Sequence, residues 1–165
     1  MSTKYVLDAA DRRRLLASPA GWIACGFGSG LVPKAQGTAG SLAALVPWLL
    51  LRGLPPSVWL SIIVLSFALG VWACDVAGRR IGVDDHRSLV WDEFVGQWVA
   101  LLPALWAPWW AVIPGFALFR LFDVAKPPPI GWLDRRVKGG LGVMLDDLIA
   151  GIFAAVVLRI VLSFA

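Results

Sequence analysis

The chain alternates between apolar runs and short polar segments rich in glycine, proline and charge. The first apolar run, Ala39 to Leu51, is Leu- and Ala-rich and carries Pro47; Arg52-Gly53-Leu54-Pro55-Pro56 then forces a turn. This run is shorter than the ~20 residues of a bilayer crossing. Ser57 to Ala77 is the clearest spanning helix, apolar but for Asp75 near its end and followed by Gly78-Arg79-Arg80. After the polar segment Gly82 to Leu89, a new apolar helix, Trp91 to Leu105, opens on Asp92 and Glu93. Pro103, Pro108 and Pro114 interrupt the stretch up to Gly115, which predicts a bent hairpin returning through Phe116–Phe122. A long polar loop, Asp123 to Gly142, contains Pro127-Pro128-Pro129, and a last helix, Val143 to Phe164, holds Asp146 and Asp147 about a turn from its start. The pattern predicts an all-α fold, a polytopic membrane helical bundle of about four to five short or broken helices. Residues 1–21 read as a polar cytoplasmic leader and residues 22–165 as a membrane-embedded domain.

Composition strengthens the membrane reading. The 165 residues are 59% hydrophobic and 16% charged, with a mean hydropathy of +0.76, against roughly 45–50% and about 25% in soluble domains. Fifteen Lys and Arg give a net charge of +4. They flank apolar runs instead of forming a basic patch interleaved with aromatics, which argues against a nucleic-acid partner and for anionic lipid headgroups. The leader, with Lys4 and Arg12 to Arg14, and the segments 78–90 and 123–142 carry most of the basic residues, whereas the turns near Arg52 and Trp106–Trp110 carry few. The positive-inside rule places the polar loops in the cytoplasm. Trp22, Trp91, Trp109 and Trp132, at segment ends, read as headgroup anchors. Met1 to Pro19 lacks the apolar core of a cleavable signal. Cys25 and Cys74 have neither disulfide-framework nor zinc spacing, and the single histidine, His86, excludes a multi-histidine metal centre.

The acidic residues change the picture most. Of 11 Asp and Glu, all but Asp8 and Asp11 lie between Asp75 and Asp147. The ends of three apolar segments bring Asp92 and Glu93, Asp123, and Asp146 and Asp147 to one membrane face. Carboxylates at one depth in a low dielectric repel one another, and a divalent cation or a cationic substrate relieves that. Oxygen ligands without His or Cys select Mg²⁺ or a similar hard ion. Each motif also has a structural alternative. Asp92-Glu93 suits a helix N-terminus. Asp146-Asp147 suits an ion pair with Arg135 or Arg136. Arg120-x-x-Asp123-x-x-Lys126, with its spacing of three, could hold a metal beside a phosphate or form an interfacial charge ladder. Gly26-Phe27-Gly28-Ser29-Gly30-Leu31, followed by Gly37-Thr38-Ala39-Gly40-Ser41, offers either anion-binding amides or close helix packing. His86 reads as an acid–base candidate or an exposed loop residue, and Asp75 as an interfacial one.

These blocks together closely resemble the phosphatidylglycerophosphatase A family. The resemblance rests on the glycine-rich segments above, on Asp85-His86 ahead of Val90-Trp91-Asp92-Glu93-Phe94-Val95-Gly96, and on Phe119-Arg120-Leu121-Phe122-Asp123 with Lys126-Pro127. Trp132-x-Asp134-Arg135 and Gly139-Gly140-x-Gly142-Val143-Met144-x-Asp146-Asp147 complete it, in the same order, from about Trp22 to Ala155. Gln36, Arg87 and Pro128 depart from the family pattern, where a proline, a glycine and an aromatic are usual. The resemblance implies a Mg²⁺-dependent enzyme of the bacterial inner membrane that removes the terminal phosphate of phosphatidylglycerophosphate. On this expectation Asp92, Glu93, Asp146 and Asp147 hold the metal and Asp123 orients water. Arg120, Lys126 and Arg135 neutralise phosphate oxygens, while Thr38, Ser41 and the glycine-loop amides bind the glycerophosphate end. A small transporter with a carboxylate-lined site is the alternative class; it would need polar residues at the bilayer midplane.

Overall fold

A computed structural model describes residues 7–164, apart from the side chain of Asp134; residues 1–6, with Lys4, and residue 165 lie outside it. Every regular element among the described residues is helical. Helices α1 (Ala9–Leu16) and α2 (Pro19–Ala24) are capped by Asp8 and Ser18, whose side chains accept from Asp11 N and Gly21 N. They pack on α4 (Pro56–Ile81), so the polar leader is folded onto the bundle, with Leu15 fully buried. The glycine-rich segment Gly26–Leu31 forms a 3₁₀ turn, and α3 (Gln36–Leu51) accommodates Pro47 within it.

α4 has 26 residues and α8 (Gly139–Ser163) has 25, hence lengths of about 39 and 37 Å. Both are long and apolar enough to cross a membrane, whose hydrocarbon core is about 30 Å thick. The interrupted region bends as expected, but its helices differ in extent: α5 (Trp91–Ala100) stops short of Leu105, two 3₁₀ turns follow at Leu102–Ala104 and Trp109–Ala111, and α6 (Val112–Ala125) takes Pro114 into its first turn and runs past Phe122. The polar loop differs from expectation. Part of it is helix α7 (Ile130–Arg136), and α8 begins at Gly139, ahead of the expected Val143. The physical reason is close approach. Gly139 takes φ +69°, and a Cβ at Gly140 would lie 2.0 Å from the Val71 carbonyl oxygen. Only glycine lets the first turn of α8 seat on α4 there. Asp146 and Asp147 consequently sit about two turns inside the helix, deeper than the single turn the sequence pattern suggested.

The short α5 is the centre of the bundle. All of its residues except Glu93 are buried, against α3, α4, α6 and α8. Trp91 Nε1 donates to the Ser66 carbonyl at 3.0 Å and Trp98 Nε1 to the Ala44 carbonyl at 2.8 Å, which pins α5 to α4 and α3. The rings of Trp59, Trp91, Phe94 and Trp98 pack with centroids 5.1 to 6.2 Å apart. Trp91 is therefore a core residue, 6% exposed, and not the headgroup anchor its segment-end position suggested. Trp22, Trp109 and Trp132 are exposed, as anchors must be.

Candidate active site

Glycine sets the distance between the two helices that carry the acidic pairs. A Cβ on Gly151 of α8 would lie 2.4 Å from the Gly96 carbonyl oxygen, and a Cβ on Gly96 of α5 would lie 2.7 Å from the Asp147 carbonyl oxygen. The backbones touch at this crossing, as small residues permit. One turn back from Gly96 and Gly151 stand Asp92 and Asp147, so the crossing drives their carboxylates together. Asp92, Glu93 and Asp147 each offer an oxygen, and the three oxygens all lie within 4.8 Å of one another. Asp92 Oδ1, Glu93 Oε2 and Asp147 Oδ2 are buried and lack a hydrogen-bond partner among the described residues. Orphaned buried carboxylate oxygens are costly, and anions this close repel strongly in a low dielectric. Three hard oxygen donors converging in this way fit a divalent cation of the Mg²⁺ type.

The triad forms the wall of a cavity of about 580 Å³. Six carboxylates line it, from Asp85, Asp92, Glu93, Asp123, Asp146 and Asp147, together with three basic side chains, Arg87, Arg120 and Lys126. On α6, Arg120 Nη1 pairs with Asp123 Oδ2 at 2.6 Å and donates to Ser41 Oγ at 3.3 Å; Ser41 in turn donates to the Gly37 carbonyl at 2.9 Å. Gly37 is a third forced glycine. Its Cβ would fall 2.4 Å from Glu93 Oε1 and 3.1 Å from both Arg120 Nη atoms, so the bare backbone lets Glu93 and Arg120 share the mouth of α3. α6 ends at Ala125, and Lys126, at φ 42°, leaves the helix and pairs with Asp146 Oδ2 at 2.5 Å. Ala35, at φ 54°, also lines the cavity. Two non-glycine residues in the left-handed region at one cavity wall are strained backbone of the kind found at functional sites.

The residues singled out from the sequence divide accordingly. Asp92, Glu93, Asp123, Asp146, Asp147, Arg120 and Lys126 all reach the cavity. Asp146 is engaged by Lys126 and is not part of the close triad. Thr38, Ser41 and Arg135 are absent from the cavity lining. Ser41 is buried behind Arg120, and Arg135 is exposed on α7. The glycine loop packs elsewhere: Cβ atoms at Gly26 and Gly30 would strike Val90 and the Ser88 backbone, which supports its packing alternative. His86 is 4% exposed, its Nδ1 accepting from Ser88 N at 3.1 Å, and it too lies outside the cavity lining. Asp75, read from the sequence only as an interfacial residue, pairs with Arg79 at 2.5 Å.

Gln36 and Arg87, singled out from the sequence only as departures from the family pattern, and Gly37, from the second glycine segment, also line the cavity. Arg87 could have been placed there from its position in the charged loop just before α5. Sequence reasoning missed Gln97, one turn on from Glu93, which is fully buried with both amide atoms unpartnered and extends the polar strip of α5 inward.

Among the described residues, then, the structure is a helical bundle with two helices long and apolar enough to cross a membrane and a polar cavity that sets carboxylates beside arginine and lysine. The chain belongs to the phosphatidylglycerophosphatase A family, whose sequence pattern matches residues 22–162. A phosphatidylglycerophosphatase A of Escherichia coli (strain K12) is 43% identical over 151 residues, spanning 92% of this chain and 88% of the relative. One of Haemophilus influenzae is 42% identical over 143 residues, 86% of this chain and 88% of the relative. A Bacteroides thetaiotaomicron protein, provisionally named a phosphatidylinositol-3-phosphatase, is 40% identical over 147 residues, 84% and 90% of the two chains. No solved structure matches the chain.

Proposed function

We propose that this protein hydrolyses the terminal phosphate monoester of phosphatidylglycerophosphate, giving phosphatidylglycerol and inorganic phosphate, with Mg²⁺ as cofactor. Family membership supports the substrate. The observation that carries the chemistry is the triad Asp92, Glu93 and Asp147, with its buried unpartnered oxygens beside Arg120 and Lys126. These three carboxylates would hold the ion. A bound Mg²⁺ supplies charge neutralisation at the phosphoryl group and lowers the pKa of water.

The remaining work falls to the chain's own side chains. Arg120, held by Asp123 and Ser41, presents a fixed guanidinium to the non-bridging phosphate oxygens. Lys126 and Asp146 form a second fixed ion pair in the cavity lining, and in this reading the lysine adds positive charge where the phosphoryl group gains negative charge. Asp123, in this reading, orients the attacking water. The water oxygen forms the new P–O bond, the bond to the glycerol oxygen breaks, and that oxygen takes up a proton to become the free hydroxyl of phosphatidylglycerol. The acyl chains stay among the apolar helices.

The reading includes a bacterial inner-membrane location with the cavity facing the cytoplasm. It is supported by α4 and α8, and by the exposed Arg12–Arg14, Arg79, Arg80, Arg135 and Arg136 in the leader and polar loops. The test is phosphate release from phosphatidylglycerophosphate in detergent micelles by wild type, Asp92→Asn and Asp147→Asn, with Mg²⁺ and with chelator. Release by wild type with Mg²⁺ alone, and loss in both variants, is expected. A silent wild type overturns the enzyme reading; active variants overturn the site.

A further inference from the structure

We infer that Arg87 is a specificity-determining residue that binds the second, phosphodiester phosphate of a lipid substrate, the one joining the headgroup to the diacylglycerol. The inference rests on the proposed reading of the cavity as the site of phosphatidylglycerophosphate hydrolysis. Two of the three basic side chains in the cavity are already committed: Arg120 to Asp123 at 2.6 Å and Lys126 to Asp146 at 2.5 Å. Arg87 lines the same cavity, is exposed, and has no carboxylate within ion-pair distance among the described residues, although six carboxylates share the space. Arg120 and Lys126 serve the phosphate to be cleaved, and Arg87 is the basic side chain of this cavity left, among the described residues, without a carboxylate partner for a second anion.

The depth of the groups assigns which anion. The carboxylates of Asp92 and Asp147 are buried, at 9% and 3% exposure, so the phosphate to be cleaved must enter deeply. Phosphatidylglycerophosphate carries its two phosphates on either side of one glycerol unit, which leaves the diester phosphate nearer the mouth when the monoester is seated. Carboxylates outnumber basic groups two to one in this cavity, so an uncompensated diester anion there is repelled. A guanidinium at the mouth reverses that and can meet two phosphate oxygens at once. The diester does not change charge during the reaction, so this contact binds ground state and transition state alike and shows in KM, not kcat.

The experiment compares wild type, Arg87→Gln and Arg87→Lys, each purified as the full chain in mixed micelles with Mg²⁺. KM and kcat are measured for phosphatidylglycerophosphate. Phosphatidic acid, which has the monoester but no diester, is titrated as a competing ligand. For Arg87→Gln, KM is expected to rise about tenfold with kcat within about twofold of wild type. The inhibition constant of phosphatidic acid is expected to stay unchanged, and Arg87→Lys to recover part of the loss. An unmoved KM, a fall in kcat as large as the rise in KM, or an equal loss of affinity for phosphatidic acid overturns the inference. Inactive wild type overturns instead the function on which it rests, so the two failures are distinguishable.

Discussion

Replacing Gly151 by alanine tests whether the α5–α8 crossing sets the geometry of the acidic triad. The added Cβ would stand 2.4 Å from the Gly96 carbonyl oxygen and 3.1 Å from both the Gly96 carbonyl carbon and Val99 Cβ, whereas ordinary contact begins at 3.4 Å. Two of these three atoms are backbone, so no rotamer change relieves the clash and the helices must part by about 1 Å, a strain of the ~1–3 kcal/mol typical of overpacking. The wedge sits one turn from Asp147 on α8 and, through Gly96, one turn from Asp92 on α5. The carboxylates separate with the backbones. A displacement of ~1 Å in a catalytic constellation costs on the order of 100-fold in rate. Phosphate release by Gly151→Ala is therefore expected to fall about 100-fold in kcat, with a higher Mg²⁺ concentration at half-saturation, while circular dichroism retains the helical signal. Gly53→Ala is the control, because nothing lies within 4 Å of its Cβ. Wild-type kcat and Mg²⁺ dependence in Gly151→Ala, with only a lowered unfolding temperature, would refute the argument that this crossing positions the site.

Three further outcomes follow from the same geometry. Without divalent cations, Asp147→Asn should unfold at a higher temperature than wild type because it removes a buried carboxylate crowded against two others, and Mg²⁺ should raise the midpoint of wild type but not of the variant; a variant less stable than metal-free wild type contradicts this. Asp146→Asn should weaken Mg²⁺ dependence far less than Asp147→Asn, since Asp146 is engaged by Lys126, and equal shifts in the two titrations would make Asp146 a ligand. Cys25 and Cys74 are both buried, so single cysteines can be read against a quiet background. Arg136→Cys should react with an impermeant maleimide in inverted membrane vesicles and Trp109→Cys in right-side-out ones; the reverse pattern inverts the orientation.

What the sequence determined by itself is the helical, membrane-type class and most of the acidic and basic groups of the cavity. Apolar runs of spanning length have few alternatives to helix, because unpaired backbone groups are too costly in hydrocarbon. Carboxylates in such runs stand out because they are expensive there, so Asp92, Glu93, Asp146 and Asp147, which the fold brings to one cavity, were legible together in the sequence. Their division was not. Only the tertiary structure shows that Asp147 joins Asp92 and Glu93 while Asp146 turns to Lys126, because adjacent residues on a helix point about 100° apart and the facing element decides which one reaches the cluster. The same holds for glycine. For the two glycine segments the sequence left anion binding and close packing open; Gly26 and Gly30 pack against Val90 and Ser88 and Gly37 against Glu93 and Arg120, while Gly96, which only closed the Asp92-Glu93 block, and Gly151, which lay in no motif, fix how closely α5 and α8 meet. A missing side chain has consequence only through what approaches it, and that partner lies far along the chain. Arg87 marked itself in the sequence only as a departure from the family pattern: a lone arginine in a polar loop has no periodicity, and the fold brings it into the lining of the cavity that the acidic residues share.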